Sequence, residues 1–127
     1  MSAATIVAVL VAGAVGAVVR YLVSRAFAER SSFPWGVLVV NVVGSAIGGA
    51  VLGLAHSGGV DPAVQLILLT GFCGGLTTFS TFSVESVQLV IDGRPRTAIV
   101  SAVANLAVGI AAAAGAFALV ALLPLAG

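Results

Sequence analysis

A helical membrane protein with four spans, the third of them broken, is what the sequence predicts, and three observations carry that prediction. Of 127 residues, 61% are hydrophobic and 7% charged, whereas soluble domains run near half apolar and about a quarter charged. The apolar residues fall into four stretches, each long enough for the roughly 20 residues that carry a helix across about 30 Å of hydrocarbon. Glycine and hydroxyl residues crowd the middle of the third stretch, where the helical ladder is weakest.

The first stretch runs from about Ala3 to Leu22 and is apolar or small until Arg20, which belongs near a membrane surface or a wet cavity. The second runs from about Trp35 to Ala55. Pro34 is expected at an early helical position, where its missing N–H costs little, and Trp35 is placed as an interfacial anchor. The third, from about Ala63 to Ile91, is entered through Asp61-Pro62. The fourth, from about Thr97 to Leu123, is stopped by Pro124. Loops of about 5 to 12 residues, with His56 and Asp61 in one of them, make neighbouring spans antiparallel. The whole of residues 1–127 is then one four-helix transmembrane domain, with no length left for a soluble one.

Composition excludes several classes of function. Five basic residues, all Arg, against four acidic ones leave no basic surface for nucleic acid. Residues 1–12 lack the basic region that precedes the apolar core of a signal peptide, so none is expected. Cys73 has no partner for an intrachain disulfide, and with one His and one Cys no transition-metal site is expected. No phosphate loop with Lys and no nucleophile elbow occurs, so no enzyme is expected. What the residues support directly is a channel or transporter.

Gly71, Gly74 and Gly75, followed by Thr77, Thr78, Ser80 and Thr81, predict a break in the third helix. Backbone freed at membrane depth is tolerated only inside protein or along a wet cavity, which makes residues 71–85 the candidate site. Phe79 and Phe82 are three apart, on one helix face. Thr77, Ser80 and Thr81 form a strip of hydroxyls, with Glu85 four residues further on. A phenyl ring has a positive edge, so two rings edge-on to a small anion, with hydroxyl donors beside them, would replace lost water. The same spacing equally suits packing rings and hydroxyls bonded to their own helix carbonyls. Asn41, with Ser45 one turn on, would glue helices together or line a path. Gly13 and Ala17, with Gly16 beside them, then Gly44 and Gly48, and Gly49 and Gly53, stand at small-xxx-small spacing, which suits close helix packing.

Three segments resemble the Fluc/CrcB family of fluoride channels: Gly13 to Tyr21, Pro34 to Gly44, and above all the Gly-Gly-Leu-Thr-Thr-Phe-Ser-Thr-Phe run within Gly71 to Phe82. The resemblance covers nearly the whole chain. It implies four-helix subunits paired as an antiparallel dimer in the cell membrane, with two fluoride pathways and one central sodium ion. Backbone carbonyls of Gly74 and Thr77 would hold the sodium, and Phe79 and Phe82 would be the pore aromatics. Asn41 would line the fluoride path, with Ser80, Thr81 and Ser83 as a hydroxyl track, Glu85 further along it, and Arg20 in an aqueous vestibule. The implied role is passive export of cytoplasmic fluoride, which protects the cell. Val37 and Ser101 depart from the family pattern, standing where many members carry Thr and Tyr.

A small proton-coupled multidrug-type exporter is the alternative, but that type relies on a carboxylate in its first span, and none occurs here. All five Arg fall on or near the side of the loops around 23–34 and 92–96. Arg and Lys bias orients membrane proteins, so the termini are expected outside. The chain then pairs either with itself or with an oppositely oriented homologue.

Overall fold

The computed structural model describes residues 1–28 and 32–123. Glu29 and Arg30 of the charge pattern, and Pro124 as the stop of the last helix, lie outside the described residues. Helix α1 spans Ala3–Phe27 and is capped by Ser2, whose hydroxyl accepts from Thr5 N at 3.1 Å. Helix α2 spans Trp35–His56. Pro34 sits one residue before it, with ψ at 68°, so it closes the loop instead of opening the helix. His56 is the last residue of α2, not a loop residue, and its ring lies 5.7 Å from that of Phe117.

The third span runs from Pro62 to Ile91 in four pieces. Helix α3 (Pro62–Leu66) is started by Asp61, whose carboxylate accepts from Ala63 N at 2.8 Å. A π-helical stretch, Ile67–Cys73, continues into α4 (Gly74–Leu76). The chain leaves the helix at Thr77, which is extended with ψ at 154°, and re-enters it as α5 (Ser80–Ile91). The expected break is therefore present, but it follows the glycines instead of falling among them. A turn through Gly93, at φ 77° where a side chain would be strained, leads to α6 (Pro95–Leu122). That connection is shorter than the predicted loops.

Gly71 and Gly75 serve packing. In lipid no hydrophobic drive pushes helices together, so association depends on close backbone approach. A Cβ at Gly75 would collide with the Gly13 carbonyl, one at Gly16 with the Phe72 carbonyl, and one at Gly71 would lie 2.9 Å from the Val9 carbonyl. Helix α1 thereby seats its small-residue face on the π stretch and α4. Helix α2 packs along α6 by the same means: a Cβ at Gly49 would strike the Ala113 carbonyl, and one at Gly53 would lie 2.9 Å from that of Phe117.

All four spans are long and apolar enough to cross a membrane. The end of α1, the start of α2 and the end of α5 line one cavity, as antiparallel neighbours must. Arg20 and Arg25 in the last turns of α1 and Arg94 and Arg96 at the start of α6 lie toward that end. Apolar side chains such as Leu10, Ile110 and Leu119 face outward, as a lipid solvent allows.

Candidate functional site

Leaving the helix at Thr77 orphans backbone groups that must be satisfied or line a cavity. Asn41 of α2 answers for Thr78: its Oδ1 accepts from Thr78 N at 2.9 Å and its Nδ2 donates to Thr78 O at 3.1 Å. The second Nδ2 hydrogen goes to Asn105 Oδ1 at 3.1 Å, and Asn105 Nδ2 in turn donates to the Ser101 carbonyl at 2.9 Å. The Thr78 N–H fixes which end of Asn41 is oxygen, and every later bond in the chain agrees with that choice. Arg20 answers for Gly75, its Nε donating to that carbonyl at 3.1 Å.

Three carbonyls beside the break, those of Gly74, Leu76 and Thr77, stay open. Among the described residues no backbone N–H reaches any of the three. These are hard oxygen donors of the kind a helix break offers to Na⁺. No group of three or more His, Cys, Asp or Glu residues gathers among the described residues, so carbonyls and hydroxyls are the groups suited to a cation here. On donor chemistry Gly74 and Thr77 fit sodium, although one chain supplies too few oxygens to enclose it.

At the break a hollow of about 400 Å³ opens, lined by Asn41, Ser45, Thr77, Thr78, Phe79, Phe82, Ala102, Asn105 and Leu106. The rings of Phe79 and Phe82 stand 5.9 Å apart at 40°. They pair as the spacing predicts, but not along one helix, because Phe79 sits in the break just ahead of α5. Phe79 is 79% exposed, whereas Phe82 is half-buried.

The hydroxyl strip differs from expectation. The Thr77 hydroxyl turns back to donate to Cys73 O at 2.9 Å, on the far side of the break from Ser80 and Thr81. Thr78 takes its place: buried, it lies 3.3 Å from Ser80 Oγ and caps Thr81 N at 3.1 Å. Ser83 donates to Phe79 O at 2.8 Å, the self-bonding that the residues left open as an alternative. Ser80, Thr81 and Ser83 do not line the hollow.

Glu85 faces a second cavity of about 480 Å³ toward the arginine-bearing end, with Tyr21, Ser24, Arg25 and Gln88 on its walls. Its Oε2 is buried without a hydrogen-bond partner. Of the predicted residues, the break therefore gathers Asn41, Thr77, Phe79 and Phe82 in one hollow, and leaves Arg20, Gly74 and Glu85 around it. Sequence reasoning left Thr78 out of the hydroxyl strip and gave Asn105 no role. A lone amide in a long apolar helix was the available signal.

Comparison with known proteins supplies the remaining context. Residues 7–117 match the family model described as CrcB-like protein, Camphor Resistance (CrcB). The chain is 44% identical over 118 residues to a protein of Yersinia pseudotuberculosis named fluoride-specific ion channel FluC 1, covering 91% of this chain and 93% of that one. It is 41% identical to the FluC of Variovorax paradoxus, over 80% of this chain and 82% of the relative. To that of Pyrococcus horikoshii it is 39% identical, over 87% and 90%. Four apolar spans and a match of this extent leave one reading: the chain is a multi-pass membrane protein and belongs to the CrcB family.

Proposed function

We propose that the chain is a passive fluoride channel of the cell membrane whose ion path passes the hollow at the broken third helix. The observation that carries this reading is the hollow itself, where two paired phenyl rings face amide and hydroxyl groups, in a chain whose relatives are named fluoride-specific channels. Fluoride is small and strongly hydrated, so it enters only where ring edges and fixed donors replace its water. A larger halide fits the same fixed groups poorly. Ser80, Thr81 and Ser83 continue the path as a hydroxyl track and Glu85 lies further along it. Arg20 draws anions into an aqueous vestibule by its charge.

The working unit is an antiparallel dimer, which would cover the exposed Phe79 ring. Its partner is a second copy or an oppositely oriented homologue. The open carbonyls of Gly74 and Thr77 from both subunits would hold one sodium ion at the dimer centre, where it bridges the two helix breaks. Export follows from acid–base chemistry: HF enters from acidic surroundings, dissociates in the less acidic cytoplasm, and fluoride leaves down the inside-negative potential without ATP. The chain then protects its cell from environmental fluoride.

Fluoride efflux from liposomes holding the purified protein alone, followed with a fluoride electrode, tests this. Fast efflux that excludes chloride and falls when sodium is withheld is expected. Chloride efflux at a matching rate would overturn the reading, as would absence of fluoride efflux both alone and with an oppositely biased homologue.

A further inference from the structure

The cavity of about 480 Å³ lies away from the helix break, at the arginine-bearing end, where α1 and α5 finish and α2 begins. Its walls are of mixed chemistry. Arg25 brings a cation, Glu85 and Asp92 bring two carboxylates, and Tyr21, Phe33 and Trp35 bring aromatic rings. These charges do not cancel one another. Among the described residues the Arg25 guanidinium has one partner, the Tyr21 hydroxyl at 3.3 Å, and the Asp92 carboxylate accepts only from Gln88 Nε2, at 2.9 Å. Glu85 Oε2 is buried with no donor at all. A buried acceptor left in that way is costly, and a ligand that donates to it removes the cost. The helix ends add to the polarity: α1 and α5 present carbonyl ends, which favour a cation, and α2 presents an N-terminus without a side-chain cap, which favours an anion.

The position is that of a lipid headgroup. The cavity falls in the terminal turns of three spans, and Trp35 is of a type that settles at headgroup level. Its ring stands 4.8 Å from that of Phe33, tilted by 50°, and an ammonium is drawn to such ring faces. Leu22 and Ile91, next to Tyr21 and Asp92 in sequence, are exposed, which leaves acyl chains an apolar surface beside the cavity. We infer that this cavity holds the headgroup of an aminophospholipid, its phosphate on Arg25 and its ammonium on Glu85 and Asp92 beside the rings. A zwitterion answers both signs of charge at once, which neither a lone cation nor a lone anion does. The ammonium must carry N–H groups, because the buried Glu85 oxygen needs a donor; a choline headgroup, fully methylated, has none. The inference stands apart from the fluoride reading. Where that reading holds, the ammonium also masks the Glu85 carboxylate, which a passing anion would otherwise meet as a like charge.

Native mass spectrometry of the purified, delipidated protein in detergent, titrated with palmitoyl-oleoyl lipids of three headgroups, tests this. Phosphatidylethanolamine is expected to be retained about tenfold or more over phosphatidylcholine and phosphatidylglycerol, the margin of a hydrogen bond to a charged group. Glu85→Gln and Arg25→Gln are each expected to abolish that preference. Arg96→Gln, which removes a charge from the same end but outside the cavity, should leave it intact. Arg25 is exposed, so its variant gives a reading even if Glu85→Gln fails to fold. Equal retention of the three lipids overturns the inference, as does a preference that survives Arg25→Gln or that Arg96→Gln removes as well. Soluble phosphoethanolamine at the same concentration is expected to bind far more weakly than the lipid; equal binding would make the cavity a site for a free solute and overturn the lipid assignment. No fluoride enters the measurement, so its failure and that of the efflux test are distinct.

Discussion

The two halves of the third span are held by different forces. Before the break, the π stretch and α4 lie backbone against backbone on α1, through Gly13, Gly16, Gly71 and Gly75. After it, α5 has α6 as its main neighbour and turns Val84, Val87 and Ile91 outward. Between them, Thr78 is fixed by the Asn41 side chain reaching across from α2. Packing sets the first half rigidly, and polar bonds set the break. That division lets a membrane protein keep irregular backbone in place without filling the space beside it, which is what an ion needs. It also predicts that damage to the two regions will be read out differently, as lost protein in one and lost conduction in the other.

The largest effect should come from the packed half. Gly75→Val puts a branched side chain where even a Cβ meets the Gly13 carbonyl. Neither backbone can yield without parting α1 from α4, so folded, monodisperse protein should be all but lost on size exclusion in detergent. Recovery of normal yield would show that the seam is looser than its geometry.

Phe79→Ile with Phe82→Ile strikes the other region. Isoleucine keeps apolar bulk but has no positive ring edge. Fluoride efflux should fall by about a hundredfold or more, the loss of some 3 kcal/mol, while yield and elution volume stay unchanged. Unchanged efflux would remove the rings from the path.

Asn41→Leu lies between the two regions and should show both kinds of loss. It leaves the buried Thr78 N–H and C=O without partners, at a cost of about 2–4 kcal/mol of stability for the hydrogen bonds lost. In sparsely loaded liposomes the fraction of vesicles that drain fluoride, which counts assembled channels, should fall, with a thermal midpoint lowered in detergent. Asn41→Asp keeps an acceptor for the Thr78 N–H and should recover part of that fraction. A Leu variant with normal fraction and a slowed rate would make Asn41 a contact of the ion and not a support of the break.

The contrast also explains what the sequence discloses. Spans are legible because hydropathy acts residue by residue, and the close-packed glycines are legible because their spacing repeats. The neighbourhood of the break, with Phe79 and Phe82, stands out because hydroxyls follow glycines inside an apolar run. The partners are another matter. Helical spacing puts Thr77 with Ser80 and Thr81, but the chain leaves the helix at Thr77, so the register is lost and Thr78 joins them instead. The π stretch at Ile67–Cys73 depends on a wider turn that has no compositional mark. Asn105 meets an Asn41 that is 64 residues away, a pairing only the packing of α2 on α6 creates.

The smallest effect belongs to the start of the packed half. Asp61→Ala removes the carboxylate that accepts from Ala63 N, worth about 1 kcal/mol as a helix cap. The residues that follow, through the π stretch and α4, are anchored on α1 by backbone contact, so the fraying should stop within the first turn of α3. Thermal stability in detergent should drop by a few degrees at most, and fluoride efflux should keep its wild-type rate. A slowed efflux would mean that strain passes along the π stretch to the break, and the division between a packed half and a pinned break would have to be redrawn as one coupled element.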